Sequence, residues 1–184
     1  MFNVIKQKIG NKIFMFYYSH FEFDRVAEKK VMKSINLWRK GDFFSQLKAR
    51  YLWSRIRKNY NCSIFPGITV GDNLRIEHAS GITIGQTAVI GNSVRLYQGV
   101  DVIAKVTGDA ERNKNGERRH AIIGNNVILG SGCTIIGSVT IGDNSIIGAR
   151  AIVTHDVPPN SVVIGTNGIR EKRENEIAPE YIKV

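Results

Sequence analysis

From Ile64 to Val157 the chain keeps a beat of six residues. Ile123, Leu129, Ile135, Ile141, Ile147 and Val153 follow one another at that interval. Four residues after each comes a small or β-branched residue: Val127, Cys133, Val139, Ser145, Ala151 and Val157. The same beat runs upstream through Ile64, Val70 and Ile76, skips two residues, and resumes at Ile84, Ile90, Leu96 and Val102. A period of six is neither helical nor a simple strand alternation. It is the signature of a parallel β-helix in which three repeats make one triangular coil. Each repeated apolar residue must then point inward and stack on its equivalent eighteen residues on. Burying one such Ile or Val contributes roughly 1.5–3 kcal/mol, so a column of them makes a core.

Charge and aromatic content divide the chain in two. The formal net charge is +10. Residues 1–60 carry 14 Lys and Arg against 4 Asp and Glu, whereas residues 61–184 carry 12 of each. Thirteen of the 16 aromatic residues also precede residue 61. The organisation expected is a basic, aromatic-rich helical region (1–61), a β-helix domain (62–168) with an extruded loop (103–121), and a C-terminal tail (169–184). The two cysteines and the lack of a signal-peptide pattern at Met1–Gly10 suggest a reducing, cytoplasmic setting. No apolar run approaches the ~18 residues of a membrane span.

The basic region reads as three helices. Ile5, Ile9, Ile13 and Phe16 line one side of the first, from Asn3 to about Tyr18. The second is expected to start at Asp24 as N-cap, to bury Val26, Val31, Ile35 and Trp38, and to stop at Gly41. The third, from about Phe44 to Tyr60, is expected to bury Phe44, Leu47, Tyr51 and Ile56. Three roles fit this region: packing on the end of the β-helix, attraction to an anionic membrane face, and binding of an anionic acceptor. Nucleic acid is not expected, because no recognition motif accompanies the charge.

The repeat is interrupted between Val102 and Ile123. Gly108–Arg119 is polar, carries both charge signs and cannot fill an interior coil position. It must be extruded, and loops on a rigid scaffold are where function concentrates. After Val157, Pro158-Pro159 is expected to end the regular winding.

Four histidines are available. His78 lies beside Glu77 at the two-residue skip, an irregularity that costs stability unless it serves a purpose. His120 closes the extruded loop next to Arg119, where it either serves the reaction or caps the loop base. His155 sits in a surface turn, and His20 belongs to the N-terminal region without an assigned role. The histidine spacing does not suit the three-histidine zinc site that some β-helix enzymes use, so no metal is expected. Cys133 falls on a small-residue step of the repeat and reads as core. No nucleophile triad and no phosphate-binding glycine loop before a helix stands out.

The segment from Ile68 to Gly85, with its Glu77-His78-Ala79-Ser80-Gly81-Ile82 stretch, then Arg119-His120, the repeats Ile122–Gly137 and the run Ile147–Pro159 resemble the hexapeptide-repeat acyltransferases, in their serine acetyltransferase-like branch. The resemblance covers about 100 of the 184 residues. It implies a mainly β architecture, a left-handed parallel β-helix with an N-terminal α-helical cap, assembled as a homotrimer with active sites between subunits. It further implies acetyl-CoA as co-substrate, lying in a groove that Ser131 and Ala149 line. His78 would be the general base, Glu77 and Arg119 would contact the acceptor, and His120 would reach the acceptor across the interface.

Two departures separate the chain from that branch. Serine acetyltransferases carry an Asp, paired with the catalytic His, at the position of Ser63. Either another group, such as Glu77, orients His78, or the acceptor differs. The helical region is also shorter and more basic than in those enzymes, and the segment Gly165–Gly168 is altered. Short chains of this kind resemble proteins that O-acetylate sugars of surface polysaccharides. The expected acceptor is therefore a sugar hydroxyl, with contact to an anionic membrane or a lipid-linked glycan through residues 1–60. The alternative is L-serine, as in cysteine biosynthesis, and a third reading is a non-enzymatic trimeric scaffold.

Overall fold

The computed structural model describes residues 24–105 and 118–171. The helix expected over residues 3–18 and most of the loop lie outside these residues. Among the described residues two helices lead: α1 (residues 24–39) and α2 (Phe43–Tyr60). Fifteen short strands follow, most of two residues with the second buried, so that the side chain of each six-residue step enters the core.

The strands form the three faces of a left-handed β-helix. Strands β1 (Ser63–Ile64), β4 (Thr83–Ile84), β7 (Asp101–Ile103), β10 (Thr134–Ile136) and β13 (Ile152–Val153) make the first face. The second holds β2 (Thr69–Val70), β5 (Val89–Ile90), β8 (Ile122–Ile123) and β11 (Thr140–Ile141). The third holds β3 (Arg75–Ile76), β6 (Arg95–Leu96), β9 (Ile128–Leu129), β12 (Ile146–Ile147), β14 (Ser161–Ile164) and β15 (Gly168–Glu171). Regular coils pair residues eighteen apart, as in Leu129↔Ile147 and Ile135↔Val153. Across the two-residue skip the offset is twenty, as in Ser63↔Thr83 and Arg75↔Arg95. The interior is aliphatic packing: Leu96, Val102, Leu129, Ile135, Ile141 and Ile147 are all 0% exposed.

The N-terminal helices close the open end of this stack. An end coil presents unpaired strand edges, which need covering. Arg39 Nη2 donates to the Val70 carbonyl of β2 at 2.7 Å. The Glu28 carboxylate accepts the Ile76 N–H of β3 at 3.4 Å. Burial pushes the Glu28 carboxyl up, against the opposing pull of that amide and of Arg75. Trp38 and Trp53 pack edge-on against Phe65, with ring centroids 5.6 and 5.5 Å away.

Two sequence expectations require correction here. Val26 is 41% exposed; α1 buries Ala27, Val31, Ser34 and Ile35. Helix α2 buries Ala49, Ile56 and Tyr60, while Phe44, Leu47 and Tyr51 face outward. The reason is close approach. Ser34 Oγ donates to the Ala49 carbonyl at 2.9 Å, and only small side chains permit that contact. The regular winding gives out around Pro158-Pro159, as expected: Val157 bridges to Ile141 and β14 pairs with β12 at an offset of sixteen instead of eighteen, and β15 folds back antiparallel on β14.

Candidate active site

The turns between the third face and the first form one edge of the prism. Residues 77–82, 97–100, 130–133 and 148–151 stack there in successive coils. Backbone bonds join the layers: Gly99 N–H to Ser80 O, Gly132 N–H to Gln98 O, and Arg150 N–H to Ser131 O. His78, Ser131 and Ala149 therefore share one edge. Three coil spacings separate the first from the last, about 14 Å. The upper part of this edge carries the small residues Gly130, Ser131, Gly132, Gly148 and Ala149, with Arg150 beside them. A Cβ added at Gly130 would sit 2.8 Å from the Ala149 nitrogen, so the backbones of these layers are in contact.

His78 heads this edge at the skip. Its backbone is left-handed, with φ 54°. Its side chain is 68% exposed, so the imidazole is open to an incoming reactant. The residue that meets it is Asp24, which the sequence marks only as a helix cap. Asp24 Oδ2 accepts the His78 N–H at 2.9 Å and Oδ1 accepts the Ala79 N–H at 2.8 Å. The same Oδ2 lies 4.0 Å from His78 Nδ1. Glu77, by contrast, turns to Arg95, with Oε1 3.8 Å from Nε.

His120 occupies a different edge, between the first face and the second, in the connection that leads into β8. Thr87 organises it. Thr87 Oγ1 lies 2.7 Å from His120 Nδ1 and accepts the Arg119 N–H at 2.9 Å and the His120 N–H at 3.2 Å. The Thr87 N–H also points at Nδ1, at 3.3 Å. With two donors directed at it, Nδ1 is the acceptor and the ring hydrogen resides on Nε2. Burial lowers the His120 pKa, and the neighbouring Arg119 charge lowers it further. The Nε2 end of the ring lies against Gly85, where any Cβ would collide with it. Arg118 fastens the loop base by donating to the His120 and Ser138 carbonyls at 3.1 and 3.0 Å.

The fold thus brings His78, Ser131 and Ala149 to one edge and places Arg119 and His120 on another. Within a single chain the two edges face different directions. Ser63 lies on β1, beside a cleft of about 480 Å³ shared with Arg57, Lys58, Asn61 and Thr83. Among the described residues, no group of three or more His, Cys, Asp or Glu side chains is placed to hold a metal ion. Nor is any described helix long and apolar enough to cross a membrane. Sequence reasoning missed Asp24 and Thr87 as site residues. Thr87 stands near a repeat glycine and had no spacing signal; Asp24 is 54 residues from His78.

Residues 120–155 match the bacterial transferase hexapeptide (six repeats) family. The serine acetyltransferase of Mycobacterium tuberculosis is 36% identical over 132 residues, 72% of this chain and 53% of that protein. That of Bacillus subtilis is 39% identical over 105 residues, 57% of this chain and 45% of that protein. The chain spans about half the length of the curated relatives it matches. Among solved structures, the Neisseria gonorrhoeae serine acetyltransferase in complex with serine superposes with a TM-score of 0.65 at 31% identity, covering 76% of this chain and 53% of that one. The soybean serine acetyltransferase complexed with serine gives 0.65 at 33% identity, covering 78% and 55%.

Proposed function

The chain belongs to the hexapeptide-repeat acyltransferases, in their serine acetyltransferase-like branch, and we propose that it moves the acetyl group of acetyl-CoA directly onto an acceptor hydroxyl, that of L-serine. The observation that carries this reading is the shared edge: an open imidazole at His78 and, beyond the Tyr97-Gln98 layer, the small residues Ser131 and Ala149. Small side chains in those layers leave room for the pantetheine arm, with the thioester delivered to His78. Serine as acceptor rests on the relatives and on the serine-bound neighbours.

In the proposed reaction His78 takes the proton from the acceptor hydroxyl as its oxygen attacks the thioester carbonyl carbon. The C–S bond breaks, and the imidazolium returns the proton to the departing sulfur. A positioned base of this type is worth roughly 10²–10⁴-fold. Glu77 and Arg119 are assigned to the acceptor. His120, neutral and with hydrogen on Nε2, is a donor to it. Because Arg119 and His120 lie on another edge, they reach His78 only from a neighbouring copy. A homotrimer with three shared sites satisfies that requirement, and light scattering on the purified chain tests it.

A second reading, a sugar hydroxyl as acceptor, is favoured by one region. Ser63 stands in place of a carboxylate beside the basic cleft of Arg57 and Lys58. Phe44, Leu47 and Tyr51 of α2 are 78%, 56% and 60% exposed near Lys48 and Arg50, a surface suited to a lipid-linked glycan at an anionic membrane. Thiol release from acetyl-CoA, with L-serine as the only acceptor, separates the two. Turnover supports serine. Background release together with acetyl-CoA binding supports the sugar.

A further inference from the structure

The carboxylate that positions His78 comes from outside the β-helix. Asp24 stands at the start of the described part of α1, and both its oxygens are committed to the catalytic turn: Oδ2 to the His78 N–H, Oδ1 to the Ala79 N–H. One turn along the same helix, Glu28 takes the Ile76 N–H. Strand β3 is the terminal strand of its sheet, so these amides have no earlier coil to bond with. Helix α1 replaces the missing coil with acidic side chains. It thereby fixes a left-handed residue, His78, that an unsupported turn would hold poorly.

The same arrangement sets the imidazole. Asp24 Oδ2 is 4.0 Å from Nδ1, and Glu77, the other nearby acid, is engaged by Arg95. We propose that Asp24 is the positioning residue of His78, directing Nδ1–H toward its own carboxylate and leaving Nε2 as the free nitrogen that faces the reactants. A carboxylate beside one ring nitrogen selects the tautomer with hydrogen on that nitrogen. Hydrogen bonds of this kind are often long without substrate and shorten in the reactive complex. The inference rests on the reading of His78 as base, and it explains how Ser63 is tolerated where relatives of this branch place an acid.

The test is imidazole nitrogen NMR on the full chain with labelled histidine, the His78 signal being identified by its loss in H78A. Wild type is expected to show His78 with hydrogen on Nδ1, and D24N to shift it toward the Nε2–H form. D24N keeps one carbonyl oxygen for a backbone amide, so it serves even where D24A fails to fold. An unchanged tautomer in D24N overturns the proposal. In turnover, D24N is expected to lower kcat by roughly tenfold or more while the KM for acetyl-CoA stays within about twofold, and D24E to recover most of the loss. Wild-type kcat in a folded D24N enzyme also overturns it. The tautomer is read without turnover. An active H78A variant would therefore remove His78 as base, while the comparison of wild type with D24N would still decide whether Asp24 orients the ring.

Discussion

Thr87 Oγ1 lies 2.7 Å from His120 Nδ1, and this one hydroxyl also accepts the amides of Arg119 and His120. A single threonine therefore fixes the tautomer, the ring position and the backbone at Arg119 and His120 together. Thr87→Val keeps the shape and removes all three contacts. These bonds are part-buried or exposed, and each such bond contributes roughly 0.5–1.5 kcal/mol. The expected result is a raised KM for the acceptor with the KM for acetyl-CoA little changed. Gly85→Ala should give the same phenotype by another route, since its Cβ would occupy the place of the His120 ring. Steady-state kinetics with both substrates varied checks both variants.

The lowered His120 pKa has a consequence for stability. The folded state holds this imidazole neutral, while the unfolded chain protonates it near the ordinary value of 6.5. Below that pH the unfolded state binds more protons, so stability is full above it and falls as the pH drops toward the folded pKa. His120→Asn keeps an acceptor for Thr87 and does not titrate. Melting temperatures measured from pH 7.5 down to 5.5 should fall more steeply for wild type than for H120N. Parallel curves would contradict the assignment.

Cys62 and Cys133 should be inert in the native protein. Burial pushes the Cys133 thiol up to about 12, with Asp101 adding to the effect, and burial also raises Cys62. The thiolate is the reactive form, so neither reacts at pH 8. A chromogenic disulfide reagent should detect both cysteines only after unfolding in guanidinium. Rapid reaction of either one in the folded enzyme would show that the coil interior is open.

Much of the fold could be read from the chain because its period is short and strict. Ile123 through Val153 each recur at six residues, and each lies in the interior. The skip at His78 and the interruption before His120 are legible as breaks in that beat. The helices are not, because apolar spacing on α2 does not say which side is covered. Phe44 and Tyr51 look like core on that ground, yet the contact between Ser34 and Ala49 turns them outward. The Asp24–His78 contact is invisible for a different reason: it spans 54 residues between a helix and a coil turn, and no local pattern encodes it.

The most direct test is turnover of His78→Ala. Thiol release from acetyl-CoA is measured with L-serine, wild type against variant, at matched oligomeric state. Wild-type turnover is expected above about 1 s⁻¹, in the ordinary enzyme range. H78A is expected to lose at least roughly tenfold in kcat, with acetyl-CoA binding retained. Near-normal turnover by a correctly assembled H78A would contradict the assignment of His78 as the base.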